Sequence, residues 1–188
     1  MTDSDVDILS ARAGAIAGMK ELIGQPFLIL DTESTGLDDI AEIVQIAVID
    51  HEGNVLLDTL IKPSTAINES GRAYEVNGIG NKMVADAPTF DEVLPKLLAI
   101  IANKVVAIYN APFDTRIIAQ SQKSLTEKPY HDGVTFIDIM MPYAEYVGDW
   151  NDYYGNFRWQ RLPGGGHTAL SDCLATLKLI NKMAATNG

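Results

Sequence analysis

FLILDTESTGLDDIAEIVQIAVIDHEGNVLLDTLIKP, residues 27–63, carries the architecture of this chain. FLILD is a compact apolar run of strand length, EIVQIAVID (42–50) a second, and VLLDTLIKP (55–63) a third. His51-Glu52-Gly53-Asn54 reads as the hairpin turn between the second and the third. The reading is a three-strand meander.

Upstream, Pro26 separates the meander from VDILSARAGAIAGMKELI (6–23), where a short amphipathic helix is expected despite Gly14 and Gly18. Downstream, residues 64–88 are polar, with glycines at 71, 78 and 80, and read as loop and short helix. Thr89 with Glu92 forms a capping box ahead of a helix whose Leu94, Leu97, Leu98 and Ile101 line one face. VVAIYN (105–110) reads as a buried strand, and APFDTRIIAQSQ as a helix with Pro112 in its first turn. TFIDIM (135–140) is a last strand running into helix, 148–166 is irregular, and HTALSDCLATLKLINKMA is a closing helix. A meander followed by β-α crossovers predicts an α/β fold, a five-stranded mixed sheet flanked by helices.

The chain has 188 residues, of a size for one core without staples. No apolar run approaches the ~20 residues of a membrane span. The start, MTDSDVDILS, is acidic and has no basic n-region, so no signal peptide is expected. Cys173 is the sole cysteine, which excludes an internal disulfide and a cysteine metal site. A cytoplasmic location follows as the expectation, with Cys173 a small buried apolar residue. The net charge of −11 argues against a broad electrostatic grip on nucleic acid. It leaves room for a protein that grips only a strand end.

The chemistry lies in five residues spread along the chain: Asp31, Glu33, Asp114, His167 and Asp172. Asp31 and Glu33 are two apart at the end of a strand, so both project from one face and can meet one ion. Gly36 lets the backbone turn sharply behind them. Asp114 and Asp172 fall near helix starts, where an acid is favoured by the helix dipole alone. His167 follows Pro163-Gly164-Gly165-Gly166, a swinging arm for what is otherwise an ordinary loop histidine. Taken singly, the clusters are commonplace. Taken together, they are hard oxygen ligands for Mg²⁺ or Mn²⁺. Two such ions about 3.5–4 Å apart can drive in-line displacement at phosphorus. Histidine is a natural base for the attacking water.

These residues resemble the DEDDh, DnaQ-like 3′–5′ exonuclease family, of the ribonuclease H-like superfamily. Asp31-Thr32-Glu33 matches its first motif, Asn110-Ala111-Pro112-Phe113-Asp114 its second and His167 to Asp172 its third. The likeness runs from about residue 25 to 186, with a helical extension expected over 1–24 and the exonuclease domain over 25–188. It implies a ribonuclease H-like fold, with Asp31, Glu33, Asp114 and Asp172 holding two divalent cations, Mg or Mn, and His167 as general base. It implies that Thr32, Ser34, Thr35, Gly36 and Leu37 hold the terminal nucleotide, and that Asn110 and Phe113 shape the pocket. Asn77 stands where many relatives carry histidine, and can still hydrogen-bond a nucleotide. Asp138 matches a family position that caps a helix and is not a ligand.

The expected activity is hydrolysis from the 3′ end of single-stranded nucleic acid, DNA favoured over RNA, releasing nucleoside 5′-monophosphates. The alternative from another class is a catalytically silent nucleic-acid or polymerase-binding module. The N-terminal helix offers a surface for a homodimer or for a polymerase partner, and no membrane contact is expected. Residues 148–162 interleave aromatics with Arg158 and Arg161, a stacking edge for a single strand. Against that, Trp159 and Leu162 read as packing beneath the last helix.

Overall fold

β1 (Leu28–Ser34) is the middle strand of the sheet. Leu28, Ile29 and Leu30 are buried on both of its faces, as a continuous apolar run requires. β1 pairs antiparallel with β2 (Ile43–Asp50), and β2 antiparallel with β3 (Val55–Leu60). The turn between β2 and β3 is held by Asp50, whose carboxylate accepts the N–H groups of Glu52 and Asn54. On the other side of β1, β4 (Val105–Ile108) and β5 (Thr135–Asp138) add in parallel, giving the order β3-β2-β1-β4-β5. This is the expected five-stranded mixed sheet. The computed structural model describes residues 3–122 and 133–187.

Each face of the sheet has its own helices. α4 (Phe90–Ile101) and α5 (Ala111–Ser121) pack one core, around Leu28, Leu30, Val48, Leu97, Ile101 and Ile117. The Glu92 carboxylate accepts the Thr89 N–H at 2.8 Å, the capping-box contact that starts α4. α1 (Asp3–Ile23), α6 (Met140–Val147) and α7 (Ala169–Ala184) pack the other core, around Ile29, Ala47, Ile49, Cys173 and Ile180. α1 contributes Ala15, Met19 and Leu22 to that core. No helix among the described residues is long and apolar enough to cross a membrane.

Some local features differ from the sequence reading. The first helix begins at Asp3, three residues before its apolar pattern does. The polar stretch 64–88 holds short helices as expected, α2 (Arg72–Asn77) and α3 (Asn81–Val84), seated on a small cluster of Val44, Ile67, Ile79 and Val84. Residues 148–166 contain a short hairpin, β6 (Trp150–Asn151) with β7 (Asn156–Phe157). Two-residue strands are too short to show a period. Trp159 is 71% exposed, which corrects the expectation that it packs beneath the last helix. Leu162, three residues on, is half-buried and packs against the core that includes α7, as expected.

Candidate metal centre and substrate cleft

The centre begins at the carboxyl end of β1. Along this strand Asp31 and Glu33 are half-buried and alternate with buried Leu30, Thr32 and Ser34, so both acids share one face. The register with β2 slips between Glu33 and Ser34, and this bulge frees the chain to turn away. Thr35 closes the following loop, accepting the Glu42 N–H on its hydroxyl and donating its own N–H to the Glu42 carbonyl. α7 lies across the same face. Its Cys173 thiol points at the carbonyls of Ile29 and Ala47, at 3.8 and 3.6 Å, which seats the first turn of α7 against β1. Asp172 thereby comes to the two strand acids, and one oxygen from each of Asp31, Glu33 and Asp172 lies within 4.8 Å of the others.

Asp114 arrives from the opposite face of the sheet, on the first turn of α5. The start of α5 is fixed by Asp138, whose carboxylate accepts the N–H groups of Ala111 at 2.9 Å and Met141 at 3.0 Å. One carboxylate thus pins the N-termini of α5 and α6. Asn110 makes the turn into α5 at φ 69°, a left-handed conformation that asparagine tolerates better than most residues. The Asp114 side chain is 2% exposed and accepts the Thr32 hydroxyl at 2.7 Å.

Burial and neighbouring negative charge act on three of these carboxylates. Burial, then the charges of Asp114, Asp172 and Glu33, push Asp31 well above the usual carboxylate range. Burial and the Asp172 charge push Glu33 up to about 7, partly offset by a hydrogen bond from Asn77. Burial likewise raises Asp114 to about 7, against the hydrogen bonds from Thr32. Among the described residues no ion pair to a basic side chain reaches any of them. Such a set of oxygens is what a hard divalent cation satisfies, because the cation removes the repulsion that burial magnifies.

His167 is not part of this close group. It is exposed, at φ 59°, directly after the glycine arm. That arm is docked: the Gly166 N–H donates to the Asp172 carboxylate at 2.7 Å, and the Ser171 hydroxyl lies 3.1 Å from the same oxygen. A side chain at Gly166 would meet the Ser171 hydroxyl at 2.8 Å, so the approach needs glycine.

Beside the carboxylates opens a cleft of about 610 Å³. Thr32, Ser34, Thr35, Gly36, Leu37, Asn77 and Phe113, all singled out from the sequence, line it together with Glu33. Asn110 is half-buried and does not line it. The Asn77 amide donates to the Ser34 carbonyl at 3.1 Å and accepts the Ile79 N–H at 3.0 Å, which ties α2 to the end of β1. Sequence reasoning missed Arg72, an exposed cation in the cleft wall paired with Glu75 at 3.5 Å. It also missed Arg116, whose guanidinium donates to the Leu37 carbonyl at 3.2 Å and sits 5.4 Å from the Phe113 ring centre. Neither arginine belongs to a motif, so only the fold reveals them. A second cavity, of about 340 Å³ between Ile43, Lys62 and Phe90, has none of the four carboxylates in its walls.

The sequence profile of the RNase T family, described as exonuclease, matches residues 28–180. An uncharacterised exonuclease of Escherichia phage 186 is 35% identical over 174 residues, covering 84% of this chain and 87% of that protein. The DNA polymerase III subunit epsilon of Buchnera aphidicola is 37% identical over 112 residues, covering 54% of this chain and 46% of that subunit. Exonuclease X, solved with 5′-overhanging duplex DNA, aligns with a TM-score of 0.56 at 28% identity, over 85% of this chain and 92% of that one. Escherichia coli exonuclease I, solved with a dA16 oligonucleotide, aligns with a TM-score of 0.65 at 18% identity and shares the fold. The chain covers 82% of its own length in that alignment and spans 40% of exonuclease I.

Proposed function

Since the chain belongs to the RNase T exonuclease family, DEDDh and DnaQ-like in its motifs and ribonuclease H-like in fold, we propose that it degrades single-stranded nucleic acid from the 3′ end. DNA is the favoured substrate over RNA, because exonuclease X was solved on DNA and the epsilon relative is named for a DNA polymerase. The products are nucleoside 5′-monophosphates. The observation that carries this reading is the convergence of Asp31, Glu33 and Asp172 within 4.8 Å, beside a cleft wide enough for a nucleotide.

Asp31, Glu33, Asp114 and Asp172 are the residues that hold two divalent ions, Mg²⁺ or Mn²⁺. Bound there, the ions supply positive charge to the scissile phosphate and to the leaving oxygen. The cleft around Thr35, Gly36, Leu37 and Phe113 receives the terminal nucleotide, with Asn77 at its wall. Arg72 stands in the same wall as a partner for phosphate. His167, directly after the glycine arm docked on Asp172, takes a proton from the attacking water. The water oxygen bonds to phosphorus, the bond from phosphorus to the 3′ oxygen breaks, and that oxygen takes a proton from solvent. The net charge of −11 suits this division of labour, since binding is confined to a strand end where the ions offset the acids.

The test is digestion of one oligonucleotide labelled at either end, as DNA and as RNA, with Mg²⁺, with EDTA, and with the Asp31→Asn variant. A 5′-labelled strand should shorten stepwise, a 3′-labelled strand should lose its label at once as mononucleotide, and both EDTA and the variant should stop the reaction. Degradation that survives EDTA and the substitution would overturn the reading. A polymerase partner is a further proposal, supported by the likeness to the epsilon subunit.

A further inference from the structure

The β6–β7 hairpin and the strand that leaves it expose an unusual set of rings. Tyr153 is 86% exposed, Tyr154 71% and Trp159 71%. Tyr153 and Tyr154 stand at the hairpin tip and Trp159 follows β7 by two residues, and exposed large side chains in one short segment are candidates for an interaction site. These rings are also held in place. Trp150 pairs across the strands with Phe157, ring centres 5.0 Å apart and edge to face. The Asn151 side chain accepts the N–H groups of Tyr153 and Tyr154, and Gly155 closes the tip at φ 63°. The rings of Tyr153 and Tyr154 meet edge to face at 4.7 Å. A preorganised aromatic surface loses little entropy on binding.

The hairpin is tied to the reactive end of the sheet. The Tyr109 phenol donates to the Gln160 carbonyl at 2.7 Å. Leu28 and Ile29 of β1 pair in parallel with Val106 and Ala107 of β4, and Tyr109 directly follows β4, at the same carboxyl end of the sheet as Asp31. The segment that carries Trp159 is therefore anchored at that end of the sheet, and seven residues beyond Gln160 the same chain reaches His167. Charge agrees. The whole chain is at −11, but residues 148–162 contain Asp149, Asp152, Arg158 and Arg161 and balance to zero. Arg158 pairs with Asp149 at 3.5 Å and Arg161 is exposed. A neutral, aromatic, arginine-bearing strip in an acidic protein suits a strand whose bases stack and whose phosphates meet guanidinium groups.

We propose that Tyr153, Tyr154 and Trp159 form a stacking platform for the bases of the single strand upstream of its 3′ end, so that the enzyme grips a longer strand than its cleft alone can hold. The proposal rests on the exonuclease reading above. Stacking is tolerant of base identity, so this grip lengthens the bound strand without making it sequence-specific.

The experiment measures affinity without turnover: fluorescence anisotropy of a 5′-labelled strand of roughly ten nucleotides, a length within the usual single-strand site size, in EDTA. Wild type is compared with the Tyr153→Ala/Tyr154→Ala/Trp159→Ala variant and with Tyr153→Phe/Tyr154→Phe/Trp159→Phe, all checked for folding by thermal melting. The alanine variant should bind the long strand about tenfold or more weakly, since each stack is worth ~1–3 kcal/mol. The phenylalanine variant should bind like wild type. In Mg²⁺, kcat/KM on a dinucleotide should be the same for all three proteins. Equal affinity of the alanine variant for the long strand would overturn the platform and leave the rings to a protein partner. A matching loss on the dinucleotide would overturn it too, by showing a general distortion. If wild type hydrolyses no strand in Mg²⁺, the exonuclease reading fails by itself, while the anisotropy comparison still decides the platform.

Discussion

The Thr32 hydroxyl donates to an Asp114 carboxylate oxygen at 2.7 Å, joining the first motif to the second across 82 residues of sequence. Thr32 faces away from Asp31 and Glu33 on the same strand, toward α5. One short strand thus presents two acids on one face and positions a third acid through the other.

That bond makes Thr32 a positioning residue. Thr32→Val keeps the volume and removes the hydroxyl, leaving the buried Asp114 oxygen short of a partner. Stability should fall by about 1–3 kcal/mol, or roughly 2–12 °C in Tm for a chain of this size. Mn²⁺ affinity by calorimetry should fall about 10–100-fold, the usual cost of losing a group that orients a ligand. Unchanged Mn²⁺ affinity would show that Asp114 needs no such support.

The carboxylates predict an inverse relation between metal-free stability and pH. Folding raises Glu33 from its ordinary 4.5, and Asp114 from 3.8, to about 7 each. The unfolded chain therefore releases these protons first as pH rises. Stability contributed by the protonated forms is complete below about pH 4 and is lost as pH passes through about 7. In EDTA, Tm should fall across that window, while the increment from Mg²⁺ or Mn²⁺ should grow. A larger increment at about pH 5 than at about pH 8 would contradict the assignment of these acids to a metal site.

Asp31→Asn should act in two directions. Removing a buried charge that its neighbours oppose should raise the Tm of the metal-free protein at neutral pH. Activity should fall by about three orders of magnitude, as several kcal/mol of charge stabilisation at the phosphate are lost. Melting in EDTA and single-turnover digestion measure the two effects separately.

His167→Ala separates base from ligand. His167 lies outside the group of three close carboxylates, so the Tm increment from Mn²⁺ should be unaltered. The catalysed rate should fall about 10²–10⁴-fold, the range for loss of a general acid–base group. A matching loss of the Mn²⁺ increment would make the residue a ligand instead.

Asn77→Ala removes a hydrogen bond that lowers the Glu33 pKa and unties α2 from the Ser34 carbonyl. The pH at which activity is half-maximal should move upward, and KM for a short strand should rise. Asn77→His, which places there the residue expected from the family resemblance, tests whether Asn77 tunes the cleft or merely fills it.

Much was legible from residues 27–63 and the motifs alone. Three strands and a hairpin turn follow from apolar runs broken by Gly53 and Asn54, and Thr89 with Glu92 announced α4, because these signals are local. The meander and the crossovers then permit few sheets, and the observed order is one of them. The exposed Trp159 and the hairpin at Trp150–Phe157 escaped, since a two-residue strand carries no period and burial depends on what else fills the space.

By itself the sequence singled out the candidate residues, through the order and spacing of Asp31, Glu33, Asp114, His167 and Asp172. Only the tertiary structure decided how the carboxylates come together and that His167 lies outside their close group. Asp172 is delivered by α7 against one face of β1 and Asp114 by α5 against the other, with Thr32 and Asp138 as the ties. It also decided that Arg72 stands in the cleft wall, that Arg116 reaches the Leu37 carbonyl, and that Tyr153, Tyr154 and Trp159 are exposed. The physical reason is range. Spacing along a strand dictates which side chains share a face, whereas distances across a sheet are set by the packing of two separate cores.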